Sequence, residues 1–119
     1  MGSPTARAIE ELRNLPDNWD SYGAPRVAWS ACVRAESLVT TLQNALGGRF
    51  MEPVVGPDVG GGVELFWESR DGISEVHVYV PPSGMPKVVV LRDMKLARSF
   101  TLESLTDVVG VLTTSQVLR

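Results

Sequence analysis

The hydrophobic period of this chain is helical up to Gly47-Gly48, becomes two residues from Glu52, and turns helical again near the end. Few folds accept that order of periods. Ser3-Pro4 suits a helix start, with the serine as cap and proline where a missing N–H costs nothing. Ala8, Ile9, Leu12 and Leu15 mark one face of a short helix that stops before Pro16. Ala28, Ala31, Cys32, Ala35, Leu38, Val39, Leu42, Ala45 and Leu46 then recur at steps of three and four. They predict a long helix with a face of small side chains, ended by Gly47-Gly48.

Val54-Val55 lies between Pro53 and Pro57 and can form only a short or edge strand. Val63, Leu65 and Trp67 share one face of a second strand, and Arg70-Asp71-Gly72 turns the chain as a hairpin would. Val76, Val78 and Val80 alternate with Glu75, His77 and Tyr79 in the next. Pro81-Pro82-Ser83-Gly84 turns again, and Lys87 to Leu91 is read as the last strand. Thr101 is expected to cap a C-terminal helix with Leu102, Leu105, Val108, Val109 and Leu112 inward. The fold class is therefore α+β over residues 1–119 as one domain. It should comprise a three- or four-stranded antiparallel meander packed with two N-terminal helices and one C-terminal helix.

Charge and composition narrow the function. A net charge of −3 argues against nucleic acid, whose recognition needs a basic face. The apolar runs fall far short of the roughly 20 residues of a membrane helix, so no membrane partner is expected. Met1-Gly2-Ser3-Pro4 lacks the basic and apolar regions of a secretory leader, and Cys32 is the one cysteine. These features lead to the expectation of a cytoplasmic chain.

Candidate chemistry is sparse. Gly60-Gly61-Gly62 lacks the Lys-Ser/Thr of a phosphate loop and enters a strand, so it reads as a turn or bulge. Cys32 sits on the apolar helical face, where a thiol behaves as a small hydrophobe. Glu10-Glu11 are adjacent on a helix and diverge. Arg92, Lys95 and Arg98 form a basic run after the last expected strand, read as a solvated connector or a contact for an acidic partner. His77 is the single histidine; the hairpin register should place Glu64 opposite it as a hydrogen-bonded pair. No catalytic group, cofactor or metal ligand set emerges.

Two segments stand out as contact surfaces. The strand face opposite the valines carries Phe66, His77, Tyr79, Val89 and Leu91 among Glu64, Glu68, Glu75 and Lys87. Left open, such a face is a protein contact; covered by the N-terminal helix or the Trp19 loop, it is core. The second segment, Asn18 to Pro25, contains Trp19 and Tyr22 between residues that bond their own backbone. Trp19 is expected to clamp this loop onto the long helix or the sheet, with Asn18 or Asp20 capping a turn. Burial of that kind makes Trp19→Ala cost roughly 3–5 kcal/mol.

Leu15 to Ala24, the helix that follows, and Asp58 to Trp67 together resemble a group of small uncharacterised bacterial and phage-associated proteins. These carry an Asn-Trp-Asp/Asn-x-x-Gly-Ala signature, a helix, and a Gly-Gly-Val-x-Leu-x-Trp strand. Ala28 departs from the group's helix-capping serine, and Phe66 from its usual polar residue. The resemblance implies the segmentation of the fold and no activity. The residues themselves favour a protein–protein interaction module, as a homodimer or as an accessory, antitoxin-like or immunity-like partner. A small-ligand binder with Trp19 and Tyr22 as walls is the alternative, and an enzyme comes third.

Overall fold

The computed structural model describes residues 3–119, with Leu105 described by its backbone alone. Met1 and Gly2, which open the segment read as lacking a leader, lie outside the described residues, as does the expected inward side chain of Leu105. Helix α1 spans Pro4–Leu12 and begins as expected, the Ser3 hydroxyl accepting from the Ala6 N–H at 3.1 Å. Thr5 is buried and donates to the Glu52 carboxylate, which ties the first turn to the chain entering the sheet. Helix α2 spans Trp29–Leu46. Ala28 occupies its cap position without a side-chain bond. Gly47 ends α2 at φ +56°, in the region that glycine enters without steric cost.

Five strands follow: β1 (Val54–Pro57), β2 (Val63–Glu68), β3 (Ser74–Val80), β4 (Lys87–Arg92) and β5 (Lys95–Thr101). They pair antiparallel in the order β1-β2-β3-β4-β5, so each strand neighbours its successor. The count exceeds the three or four expected, because the basic run Lys95–Arg98 belongs to β5 and is no connector. Its turn, Asp93-Met94, has both residues at positive φ, 53° and 63°, as a two-residue hairpin of the I′ type requires. Helix α3 spans Leu105–Thr114 and is capped by Ser104, whose hydroxyl accepts from the Thr106 N–H at 3.1 Å. Thr101, the expected cap, instead ends β5.

One face of the sheet is the core. Val63, Leu65, Val76, Val78, Val80 and Val88 are each at most 1% exposed. Trp67 joins them, its indole N–H donating to the Met51 carbonyl at 2.8 Å. Helix α2 lies against β2 and β3 through Ala31, Cys32, Ala35, Val39 and Leu42. Small side chains on its N-terminal half allow close approach to the valines. Each fully buried Val or Leu contributes about 1.5–3 kcal/mol, which makes this seam the main stabilising contact. Helix α1 packs on α2 and β1, and α3 brings Val111 beside Val90. All three helices therefore serve the valine face.

Two local devices hold the layers together. Gly62 lies so close to β3 that a Cβ there would meet the Val80 carbonyl oxygen at 2.5 Å, which explains the last glycine of the triplet. The Arg34 guanidinium donates to the carbonyls of Pro81, at 2.6 Å, and Gly84, stapling α2 to the β3–β4 turn. Ser30 donates to Pro82 of the same turn at 3.0 Å.

The Asp93-Met94 turn is a site of correctable strain, since neither residue is glycine and Met94 is 89% exposed. Met94→Gly should raise stability by about 0.5–1 kcal/mol by relieving the left-handed conformation. A thermal melt at or below the parent's would contradict this account of the turn.

Candidate functional site

The open face of the sheet is built by strand alternation. Because Val63, Leu65 and Trp67 point to the helices, Glu64, Phe66 and Glu68 point away; the same holds for Glu75, His77 and Tyr79 and for Lys87, Val89 and Leu91. The register lines these side chains up in three rows across the strands. Glu64, Tyr79, Lys87 and Thr101 form one row. Val54, Phe66, His77, Val89 and Ser99 form the next. Glu68, Glu75, Leu91 and Leu96 form the third, next to a bulge that leaves Ala97 unpaired. Phe66, His77, Tyr79, Val89 and Leu91 are half-buried, and none belongs to the core cluster or packs against it. Neither the N-terminal helix nor the Trp19 loop covers this face.

His77 is the centre of the surface. Its Nδ1 lies 2.7 Å from Glu64 Oε1 and its Nε2 lies 3.3 Å from Glu75 Oε1. The Glu64–His77 contact exists, but in a different register from the one expected. Glu64 stands directly opposite Tyr79, and Phe66 opposite His77. The glutamate reaches the imidazole diagonally, since a shift of two residues keeps the same face. The Phe66 ring sits 4.6 Å from the imidazole, tilted by 53°, and the Tyr79 ring, two residues along β3, lies near-parallel to it at 6.2 Å and 9°. A proton on Nδ1 donates to Glu64, while Phe66 and Tyr79 shield the ring. Burial, together with the charges of Glu64 and Asp58, holds the Tyr79 phenol above its ordinary pKa.

Neither His77 nor Tyr79 lines any of the five best-formed clefts among the described residues, whereas Val54, Phe66 and Glu68 border a shallow one beside Met51 and Val117 at the β1 edge. No group of three or more His, Cys, Asp or Glu among the described residues is arranged to hold a metal ion. Cys32 is buried on α2, and burial raises its thiol pKa, the opposite of what a nucleophile needs. No helix among the described residues is long and apolar enough to cross a membrane.

The Asn18–Pro25 loop is bonded mainly to itself. The Asn18 carboxamide oxygen accepts from Gly23 N–H at 2.6 Å, and Asp20 Oδ1 accepts from Tyr22 and Ala24 at 2.9 and 3.1 Å. Asp17 accepts from Arg26 N–H at 2.9 Å. Both capping residues considered from the sequence are therefore used. The Trp19 indole N–H donates to the Pro25 carbonyl at 3.0 Å, but the ring is only half-buried and stands apart from the core cluster. The clamp onto helix or sheet is thus corrected: Trp19 closes its own loop. Tyr22 is 92% exposed, and neither ring lines those five clefts. The loop is fastened to the domain just beyond its end, where Ala28 N–H donates to the Gly61 carbonyl at 2.8 Å.

Several exposed groups escaped the sequence reading. Val54 and Leu96, each 66% exposed, extend the open face onto both edge strands. Trp29 is 61% exposed at the start of α2, with the Arg13 guanidinium 5.5 Å from its ring centre. Alternation could have flagged Val54 from its place one residue before the inward Val55. Leu96 needed the bulge, which no local pattern announces.

No protein-family model, curated protein or solved structure matches this chain.

Two measurements check the geometry. Trp19→Phe should cost about 1 kcal/mol, one hydrogen bond, and Trp19→Ala should stay below the roughly 3–5 kcal/mol of a core aromatic. Urea unfolding decides, and a larger loss would return Trp19 to the core. For Tyr79, a folded-state pKa raised above the unfolded value means stability is complete below about pH 10 and declines as pH rises through the folded value. Tyr79→Phe should flatten that alkaline decline in denaturant titrations. An unchanged slope would show that neither burial nor the nearby carboxylates shift the phenol.

Proposed function

We propose that the open sheet face is a protein-docking surface and that the domain acts as an interaction module. The observation that carries this reading is the central row of Phe66, His77 and Val89, apolar and aromatic, half-exposed and outside the core. A patch of this composition, rimmed by Glu64, Glu68, Glu75 and Lys87, has the apolar centre and charged edge of a specific interface. Its aromatic members are the kind of side chain that dominates binding energy at such surfaces. The Asn18–Ala24 motif, in contrast, spends its polar groups on its own turn. The resemblance to the small bacterial and phage-associated proteins accordingly bears on how the loop is built rather than on what is bound.

The test is photocrosslinking in the cells that make the protein, with p-benzoylphenylalanine replacing Phe66 or, as a comparison, Tyr22. A discrete protein adduct from position 66, abolished by Leu91→Glu, is the expected result. Absence of any adduct at 66 in a folded variant would end the interaction reading. A small-molecule adduct at position 22 would favour a ligand site at the loop instead.

A further inference from the structure

We infer that the occupant of the open face is a second copy of this chain, stacked sheet on sheet about a two-fold axis that runs along β3. The inference rests on the docking reading above and adds the identity and orientation of the partner. When two identical sheets pack face to face with their strands aligned, the two-fold axis between them runs either across the strands or along them. An axis across the strands sets each strand on its own copy, reversed end to end. Glu64 then meets Glu68 of the copy, twice, and Lys87 is buried against Leu91. Two carboxylate–carboxylate contacts and a stranded ammonium make that arrangement unfavourable.

An axis along β3 reverses the order of strands and keeps their direction. The row that reads Glu64, Tyr79, Lys87 then lies over Lys87, Tyr79, Glu64 of the copy. Each Glu64 meets a Lys87, each Phe66 meets a Val89, and Tyr79 and His77 meet their own copies at the axis. The first two rows are thus self-complementary in charge and in apolar contact, as an isologous interface requires. The third row carries the unfavourable contacts, Glu68 over Leu91 and Glu75 over Glu75 of the copy, at the end of the sheet where Glu75 faces the His77 Nε2 at 3.3 Å. The axis along the strands is preferred because it alone pairs each Glu64 with a Lys87.

Size sets the strength. Five strands spaced about 4.8 Å apart, with some seven residues at about 3.4 Å each, make a face of about 24 by 24 Å. That is smaller than the roughly 800 Å² each partner buries in a standard interface. Interfaces at this small end belong to transient contacts, so the dimer forms reversibly and micromolar concentrations are the range in which to look for it.

Sedimentation velocity of the purified chain between about 1 and 200 μM brackets that range. The wild type should shift from monomer to dimer. Glu64→Lys and Lys87→Glu should each weaken association by about tenfold or more, since each creates two like-charge contacts. The double variant should recover it. Mixing the two single variants should do so as well. In that heterodimer one contact joins the two introduced side chains, which are opposite in sign, and the other joins the native Lys87 of one copy to the native Glu64 of the other. Lys87→Glu leaves the Glu64–His77 bond intact, and far-ultraviolet circular dichroism confirms that each variant is folded. A wild type that stays monomeric throughout, or single variants that fail to rescue each other, would overturn the second copy. Photocrosslinking at Phe66 reports separately: an adduct with a different protein keeps the docking surface while ending the homodimer, and no adduct ends both.

Discussion

Every other feature of this structure depends on the burial of a single sheet face. The inward valines of β2, β3 and β4, with Leu65 and Trp67, exclude water only because α2 presents Ala31, Cys32 and Ala35 to them. Side chains that small let backbone approach backbone, so dispersion contacts are made along much of the helix. A larger residue at Ala35, which is 0% exposed, has no space to enter. With α1 and α3 drawn to the same side, the second face has no helix left to cover it.

The alternation that fills the core therefore also creates the candidate site. Phe66 stands outward because Leu65 and Trp67 stand inward, and the same relation places His77 between Val76 and Val78. The polar groups around His77 are matched to one another. Glu64 and Glu75 bracket the imidazole, and the Phe66 and Tyr79 rings flank it. Side chains held in this way have little rotameric freedom left to lose. Charge at the edges, from the glutamates of β2 and β3 to Lys87 on β4, gives the face a direction.

The elements that were legible in the sequence are those whose side chains obey one period over many residues. Helix α2 and strands β2 to β4 each have a buried face, and the pattern follows burial. β5 was hidden because almost all of Lys95–Thr101 is exposed, so no alternation marks it. Its turn also uses Asp93 and Met94 at positive φ where asparagine or glycine would have signalled a hairpin. The Glu64–His77 contact was legible as a pairing on one face but not in register, because the loop between Glu68 and Ser74 is longer than a tight turn. Side chains on the same face can still touch diagonally.

Trp19 shows the limit most clearly. Composition alone made it a candidate for burial, whereas the local bonds of Asn18, Asp20 and Pro25 hold it within its own loop. Local sterics and periodic burial, both readable along the chain, suffice for the α+β class, the extent of α2, the inward residues of the central strands and the caps at Ser3 and Gly47. Assembly in three dimensions settles the rest: that the described helices share one face, that a fifth strand completes the sheet, and that Phe66, His77 and Tyr79 stay half-exposed on the other face. Those outcomes turn on which surfaces meet across long stretches of chain, and no local period records that choice.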